Sequence, residues 1–550
     1  LLASVAVALG DGEETGEAEE FKVIDHSKVW EEKGITKYEG SKTCIQCHED
    51  KVRQFFHSYH YQLFSENEGI NGKTMIFGGK MAFNDYCMAM FVNNGTKVVN
   101  WIGYITLKKA PEGYEDLVGS FTGLTGCSMC HGVGMGLPPS PQESEEQFGN
   151  IDCLACHAKP DVYVSGVLGI KLGLKNVTKD DQGRWRYVIN VPTEELAKSI
   201  INRPQSKNCL ACHAFSGGGP HVKRPNIAPD LLNPELAAEF DVHFKAGLGC
   251  TDCHSGENHE FGTNSVDTWS REGEVPKCSN CHTEDPHNGF FGYFLNTFHD
   301  RVACQTCHIP TIAHGEYPTE YYRDWTVATF LPKEKRWKFA IPDPESGDYS
   351  KWYLFNNLQP SYAWYNGDRE VYIFPTPVEP VPVSEVMEKV GGKYEASQIK
   401  AGSGEVVGAI YYVKPTASKE DGDAKIYPFK VHVAVVPYSE QDRVPVPVKA
   451  GIAFATGNIT MAMAAGAKDA GVTYEPGKAV LYVRYMQVNH GVQPKEKALF
   501  CFDCHNIAEG RMHWEDLGYG IYPKVAFGGI IAGILAVVLG AVWLIRRRGS

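Results

Sequence analysis

The hydrophobic and polar positions change character several times along the chain. Residues 370–383 and 425–436 (KIYPFKVHVAVV) string β-branched and aromatic side chains together between prolines, as buried strands do. Residues 479–487 (AVLYVRYMQ) fit a further strand, although an apolar run this short also fits a helix. Residues 525–545 (VAFGGIIAGILAVVLGAVWLI) carry no charge over a length that matches a membrane span. The arginines 546–548 follow, and positive residues stay on the cytoplasmic side, so this pattern predicts a transmembrane helix with its C-terminus inside. At the other end, residues 1–10 (LLASVAVALG) resemble the apolar part of a signal peptide. Residues 11–20 (DGEETGEAEE) read as a solvated acidic stretch.

The cysteines bring in chemistry. Sixteen of the 17 fall into eight Cys-x-x-Cys pairs, each followed at once by histidine. These are Cys44, Cys47 and His48; Cys127, Cys130 and His131; Cys153, Cys156 and His157; Cys209, Cys212 and His213; Cys250, Cys253 and His254; Cys278, Cys281 and His282; Cys304, Cys307 and His308; Cys501, Cys504 and His505. This is the attachment pattern of c-type haem. Two thiols at this spacing add to the two vinyl groups of one porphyrin, and the adjacent histidine binds the iron. Zinc sites and disulfide frameworks also use cysteine pairs, but neither requires a histidine after every pair. With 20 histidines in 550 residues, eight such matches by chance have odds on the order of 10⁻¹¹. The sequence therefore predicts eight covalently bound haem c groups, with Cys87 left over.

That density of cofactor changes the expected fold. The 56 glycines and 31 prolines suit loop-rich wrapping, with short helices near the motifs. The expected class is a mostly α and irregular multihaem cytochrome c fold wrapped around eight haems, with a partly β haem-free insertion and a C-terminal transmembrane helix. In segments, this gives a signal remnant at 1–10, an acidic stretch at 11–25, a seven-haem core at 26–310 and the insertion at 311–495. The eighth haem follows at 496–520, the transmembrane helix at 525–545 and a cytoplasmic tail at 546–550. Motifs only 26 to 28 residues apart, at 127/153, 250/278 and 278/304, predict haems that are near neighbours.

The net charge of -13 and the lack of a basic patch interleaved with aromatics argue against nucleic-acid binding. Haem c is attached outside the cytoplasm, which predicts an exported protein on the outer face of the cytoplasmic membrane, held there by the C-terminal helix.

Twelve histidines lie outside the motifs. A second histidine on each iron leaves no open position, which favours electron transfer over substrate chemistry. His243, His259, His287, His299 and His490 each lie near a motif and are candidate distal ligands, as are His57 and His60 in FFHSYH, His314 and His432. His26, His221 and His513 fit either ligation or solvent exposure.

Several stretches carry a family resemblance: DVHFKAGLGCTDCHSGENHE, LNTFHDRVACQTCHIPT, PSYAWYNG, AKIYPFKVH and NHGVQPKEKALFCFDCH. Together they resemble the octahaem tetrathionate reductase family of c-type cytochromes, over a region from about His26 to His505. The resemblance implies a haem core related to that of multihaem nitrite reductases and hydroxylamine oxidoreductases, and reduction of tetrathionate, nitrite or hydroxylamine. It implies that the haem of the second motif is catalytic, with a lysine as distal ligand and an unpaired cysteine beside it. Cys87 stands at the matching place, although a lone buried cysteine is also commonly just a small apolar residue. The family lysine precedes the fourth motif by six residues in a segment like GKPSRANC. This chain reads NRPQSKNC there, with Arg203 at that position. Arginine stays protonated and cannot ligate iron. Lys207, a spare histidine or a displaceable water could fill the place, and an open position would leave Arg203 to attract an anion.

Three functions follow as expectations. One is an electron-transfer module serving redox partner proteins. Another is a reductase at the haem of the second motif, with Cys87, Arg203 and Lys207 as candidate catalytic residues. A third is a homo-oligomer or filament with haems continuous between subunits, motivated by the outlying His26 and His513.

Overall fold

The computed structural model describes residues 21–62, 66–68, 74–76, 85–86, 88, 90–92, 97–99, 105–106, 122–123, 127–137, 139–140, 142–216, 226–262, 275–331, 336–338, 354–389, 404–506 and 510–548. The signal remnant, most of the acidic stretch, Cys87 and His221 lie outside these.

Each haem-attachment motif lies in or at the edge of a helical turn. The first lies in Ser41–His57, the third leads into Leu154–His157, and the fourth ends Ser206–His213. Cys250–Cys253, Cys304–His308 and Cys501–His505 are single α turns, while the second and sixth motifs begin 3₁₀ turns at Cys127–Met129 and Cys278–Asn280. Residues three apart on a helical turn share a face. The turn thus presents both cysteines of a pair to one side and lets the histidine leave at its end. Ser41–His57 shows this directly: the backbone kinks at His48 (φ -129°, ψ 42°).

Between the third and fourth motifs a hairpin forms from β1 (Lys175–Lys179) and β2 (Trp185–Ile189). The main sheet has seven strands: β3 (Tyr322–Asp324), β4 (Ser361–Tyr365), β5 (Arg369–Val371), β6 (Glu405–Pro415), β7 (Lys425–Ser439), β8 (Val444–Pro445) and β9 (Lys478–Gln487). The order is β3-β7-β9-β6-β5, with β4 and β8 also on β7. β7 and β9 are antiparallel, with His432 opposite Arg484, and β6 runs parallel to β9. Residues 479–487, compatible with strand or helix by sequence, are strand.

β7 is buried on nearly every residue, as a strand covered on both faces must be. Phe429, Val431, Val433 and Val435 face Ile309 and Ile312, just past the seventh motif. Ala434 and Val436 face Met88, Trp325 and the helices Ala450–Thr456 and Ile459–Ala470. The sheet is thus a slab against which the haem-binding chain is laid.

This mixed fold fits the class expected from the sequence, except at the C-terminus. A helix does form there, at Tyr522–Arg548. Among the described residues, however, no helix is long and apolar enough to cross a membrane. The transmembrane helix at 525–545 is therefore withdrawn. Withdrawn with it are the membrane as partner, the cytoplasmic tail at 546–550 and the placement on the outer face of the cytoplasmic membrane.

Candidate haem sites and a buried polar cluster

The histidines at the motif ends stand opposite other histidines. The rings of His26 and His48, His60 and His213, His243 and His282, and His287 and His308 have centroids 6.3 Å apart. His157 and His259 are 6.2 Å apart, as are His254 and His490, and His299 and His505 are 5.9 Å apart. An imidazole nitrogen bonds a transition metal at about 2.0 Å, and the ring centroid lies about 1 Å behind it. Two rings on opposite sides of one ion therefore stand about 6 Å apart. All seven pairs have this spacing, and each contains one motif histidine. The residues present fit a haem iron at each of the seven places.

Hydrogen bonds orient these rings. Nδ1 of His26 donates to the Ile24 carbonyl (2.9 Å), that of His157 to Ile201 (3.0 Å), that of His254 to Gly262 (2.9 Å) and that of His505 to Pro523 (3.2 Å). A carbonyl only accepts, so Nδ1 carries the hydrogen and Nε2 is left as a base, as metal ligation requires. His287 is held in the same way by Asn296 Oδ1 (2.8 Å) and His243 by Asp241 Oδ1 (2.9 Å). Burial pushes the pKa of His157, His308 and His505 down, and that of His259 to about 4, keeping these rings neutral. His243 moves the other way because of the Asp241 carboxylate. His259 sits in a turn in which Asn258 (φ 52°) and His259 itself (φ 67°) are both left-handed, which swings its ring away from the nearby fifth motif.

The motif cysteines meet one another. Cys44 is in side-chain contact with Cys153, Cys130 with Cys212, Cys209 with Cys250, and Cys278 with Cys304. Cys212 is close enough to help push up the Cys156 thiol, Cys281 that of Cys253, Cys501 that of Cys307, and Cys307 that of Cys504, with burial the larger cause in each case. The motifs thus link in the order first, third, fourth, fifth, sixth, seventh, eighth. The second joins at the fourth, and a backbone bridge from Gly134 to Ile151 ties it to the approach of the third.

Of the sequence-derived distal candidates, His60, His243, His259, His287, His299 and His490 lie in these pairs, and His26 joins them. His57 is exposed, with Nε2 2.9 Å from Glu143. His314 stacks on Phe240 at 4.2 Å, its Nε2 2.8 Å from the Phe240 carbonyl. His513 is exposed on the surface. With His26 opposite His48 in its own chain, half of the motive for a filament is gone.

His432 belongs to a different site, which the sequence did not reveal. It is fully buried on β7, donates from Nδ1 to Asp85 Oδ2 (2.6 Å) and stacks on Tyr86 at 4.1 Å. Asp85 Oδ1 accepts from Arg484 (2.6 Å), and its carbonyl from Trp325 Nε1 (2.7 Å). Lys430 Nζ donates to Tyr86 Oη (2.9 Å) and Thr319 Oγ1 (2.7 Å). Burial pushes the Lys430 ammonium down to about 7, opposed by Glu320 and Asp85. Glu320 is held far below the usual carboxylate range: burial alone would raise it, but Arg323 and His432 outweigh that. The residues on either side of Cys87 are thereby clamped to the sheet.

Arg203 is ion-paired with Asp252, inside the fifth motif, and Lys207 lies on the first turn of Ser206–His213. In the second motif, buried Ser128 has Oγ 3.0 Å from Tyr187 Oη.

Comparison with known proteins agrees with this arrangement. Residues 343–508 match the family described as bacterial cytochrome c, and residues 236–309 match cytochrome c7 and related cytochrome c. An uncharacterized protein of Archaeoglobus fulgidus is 99% identical over 274 residues, which cover 50% of this chain and 92% of that protein. The crystal structure of an octaheme cytochrome c from Shewanella oneidensis superposes with a TM-score of 0.59 at 23% identity, covering 87% of this chain and 93% of that one. At that identity the likeness is one of fold.

Proposed function

The chain belongs to the multihaem c-type cytochromes and carries covalently bound haem c, and from this premise we propose that it is an electron relay of seven bis-histidine centres in line, with an eighth on a branch. The haem iron supplies reversible one-electron storage. The chain supplies two histidines to an iron, fixes which ring nitrogen faces it and brings neighbouring attachment cysteines together. The seven histidine pairs at 5.9 to 6.3 Å are the observation that carries this reading.

An iron with two histidines has no place for substrate, so each such centre passes electrons and does no bond chemistry. Paramagnetic resonance of the oxidised protein tests the assignment. Seven low-spin centres are expected, and the ring geometry predicts their type. His287 and His308 are nearly coplanar at 11° and give a rhombic signal, whereas the crossed pairs His299 with His505 (89°) and His157 with His259 (82°) give signals at high g. Fewer than seven low-spin irons, or no high-g component, would overturn the reading.

The family resemblance supports a second reading, reduction of a small oxyanion at the haem of the second motif. The resemblance described above puts an unpaired cysteine at that haem. Here buried Asp85 and Tyr86 are held by Lys430, His432 and Arg484. Arg203 does not strengthen this reading, since its charge is matched by Asp252. Assays with a reduced dye and nitrite, hydroxylamine or tetrathionate separate the two. Turnover no faster than that of free haem leaves the relay alone.

A further inference from the structure

We propose that the buried ion pair of Lys175 and Asp152 is a fixed-charge element that sets the relative electron affinity of the three haem seats meeting at the branch. The proposal deepens the relay reading and rests on it.

Lys175 opens β1 and is only 2% exposed, so its Nζ must find its partners inside the protein. Nζ donates to Asp152 Oδ2 (2.9 Å), Ser165 Oγ (2.8 Å) and the Gly134 carbonyl (3.1 Å), so all three hydrogens are used. It also lies over the Tyr187 ring, 4.5 Å from the centroid. Asp152 is 1% exposed and accepts from Tyr163 Oη (2.7 Å) and Tyr38 Oη (3.2 Å) as well.

Each of these partners leads to a motif. Gly134 lies just past His131, and Tyr187 meets Ser128 inside the second motif. Asp152 immediately precedes Cys153 of the third. Ser165 precedes Gly166, where a Cβ would collide with Cys212 Sγ of the fourth. One buried charge pair therefore touches the walls of three haem seats. Its two ends act on them unequally: the Asp152 charge is felt at Cys153, Cys156 and Cys212, that of Lys175 at Cys212.

A buried ion pair contributes little net stability, because desolvating both ions offsets their attraction. What it does supply is an unscreened field. A negative charge near a haem disfavours an added electron and a positive one favours it. The carboxylate end thus holds the third seat at lower electron affinity, and the ammonium partly cancels this toward the second and fourth.

The test uses the full haem-loaded chain and follows reduction by potential-controlled optical titration. Asp152→Asn is expected to raise the affinity of one junction centre for an electron about tenfold, about 59 mV for a one-electron couple. Lys175→Met is expected to lower it, because the carboxylate loses its counter-charge. Lys175→Arg keeps the charge and leaves the curve as it was. The double variant Asp152→Asn with Lys175→Met keeps the packing without either charge, guards against loss of folding in a single variant, and shifts the same centre upward by less. Shifts of the same sign in both single variants, or an unmoved curve in the double variant with all haems attached, would overturn the proposal. The low-spin count of the unaltered protein judges the relay reading separately.

Discussion

Asp241 shows how much one side chain can do in this molecule. One oxygen accepts from His243 Nδ1 (2.9 Å), and the other from the backbone of Gly491 (2.8 Å) and Val492 (2.9 Å), directly after His490. It therefore orients the ring opposite His282 and pins the loop whose histidine stands opposite His254. A carboxylate on a ligand histidine makes it more basic and favours the oxidised metal. Asp241→Asn is expected to raise the midpoint of one centre and to lower stability by about 2 kcal/mol, since a buried acceptor of four bonds, the His243 backbone N–H included, becomes a poorer one. Redox titration with thermal melts checks this, and an unshifted titration curve would count against it. Such pairings were only half legible in the sequence. Closeness to a motif flagged His243, His259, His299 and His490 as candidate ligands but did not say which motif each one faces. His243 precedes Cys250 yet faces His282, and His259 follows His254 yet faces His157. Which motif a histidine faces is set by the packing of segments that need not be neighbours in sequence. His26 fitted either ligation or solvent exposure by sequence, and the fold sets its ring opposite His48 of the same chain.

At the scale of elements, the strands were readable and their buried charges were not. Residues 425–436 announced β7 by composition, and its burial on both faces accounts for the β-branched run. His432 was a candidate distal ligand by sequence, and nothing there marked Lys430 as buried. The structure instead covers them with Asp85 and Tyr86, distant in sequence and joined to them only by folding. Burying Lys430 has a measurable consequence. Its pKa near 7 in the folded chain lies below the roughly 10.4 of an unfolded lysine. Between those values the unfolded chain holds a proton that the folded chain does not, so stability rises with pH across this window. The full span is on the order of 4 kcal/mol. Lys430→Met removes the titration. Its melting temperature, compared with the natural chain from pH 7 to 10, should fall progressively behind as pH rises. Parallel curves would show that Lys430 is charged in the folded protein.

For the whole molecule, the order of the centres decides what the relay does, and sequence order did not give it. Motifs close in sequence were expected to be neighbours, and the fifth, sixth and seventh are. The second is joined to the fourth through Cys130 and Cys212, while the first reaches the third through Cys44 and Cys153. A line with one branch has a property that a cluster lacks, since some centres are indispensable for passage and one is not. Removing the fifth haem with Cys250→Ala and Cys253→Ala separates the first four motifs from the last three. Removing the second with Cys127→Ala and Cys130→Ala leaves the line whole. A photoreductant attached at an engineered cysteine replacing exposed His513, whose neighbour Trp514 packs on His505, feeds electrons in at the eighth motif. Under repeated flashes the chain without the fifth haem should load three centres rapidly, and the chain without the second should load all seven that remain. Rapid loading of seven in both variants would mean that the centres communicate across the gap, and the relay would then be a network with no single path.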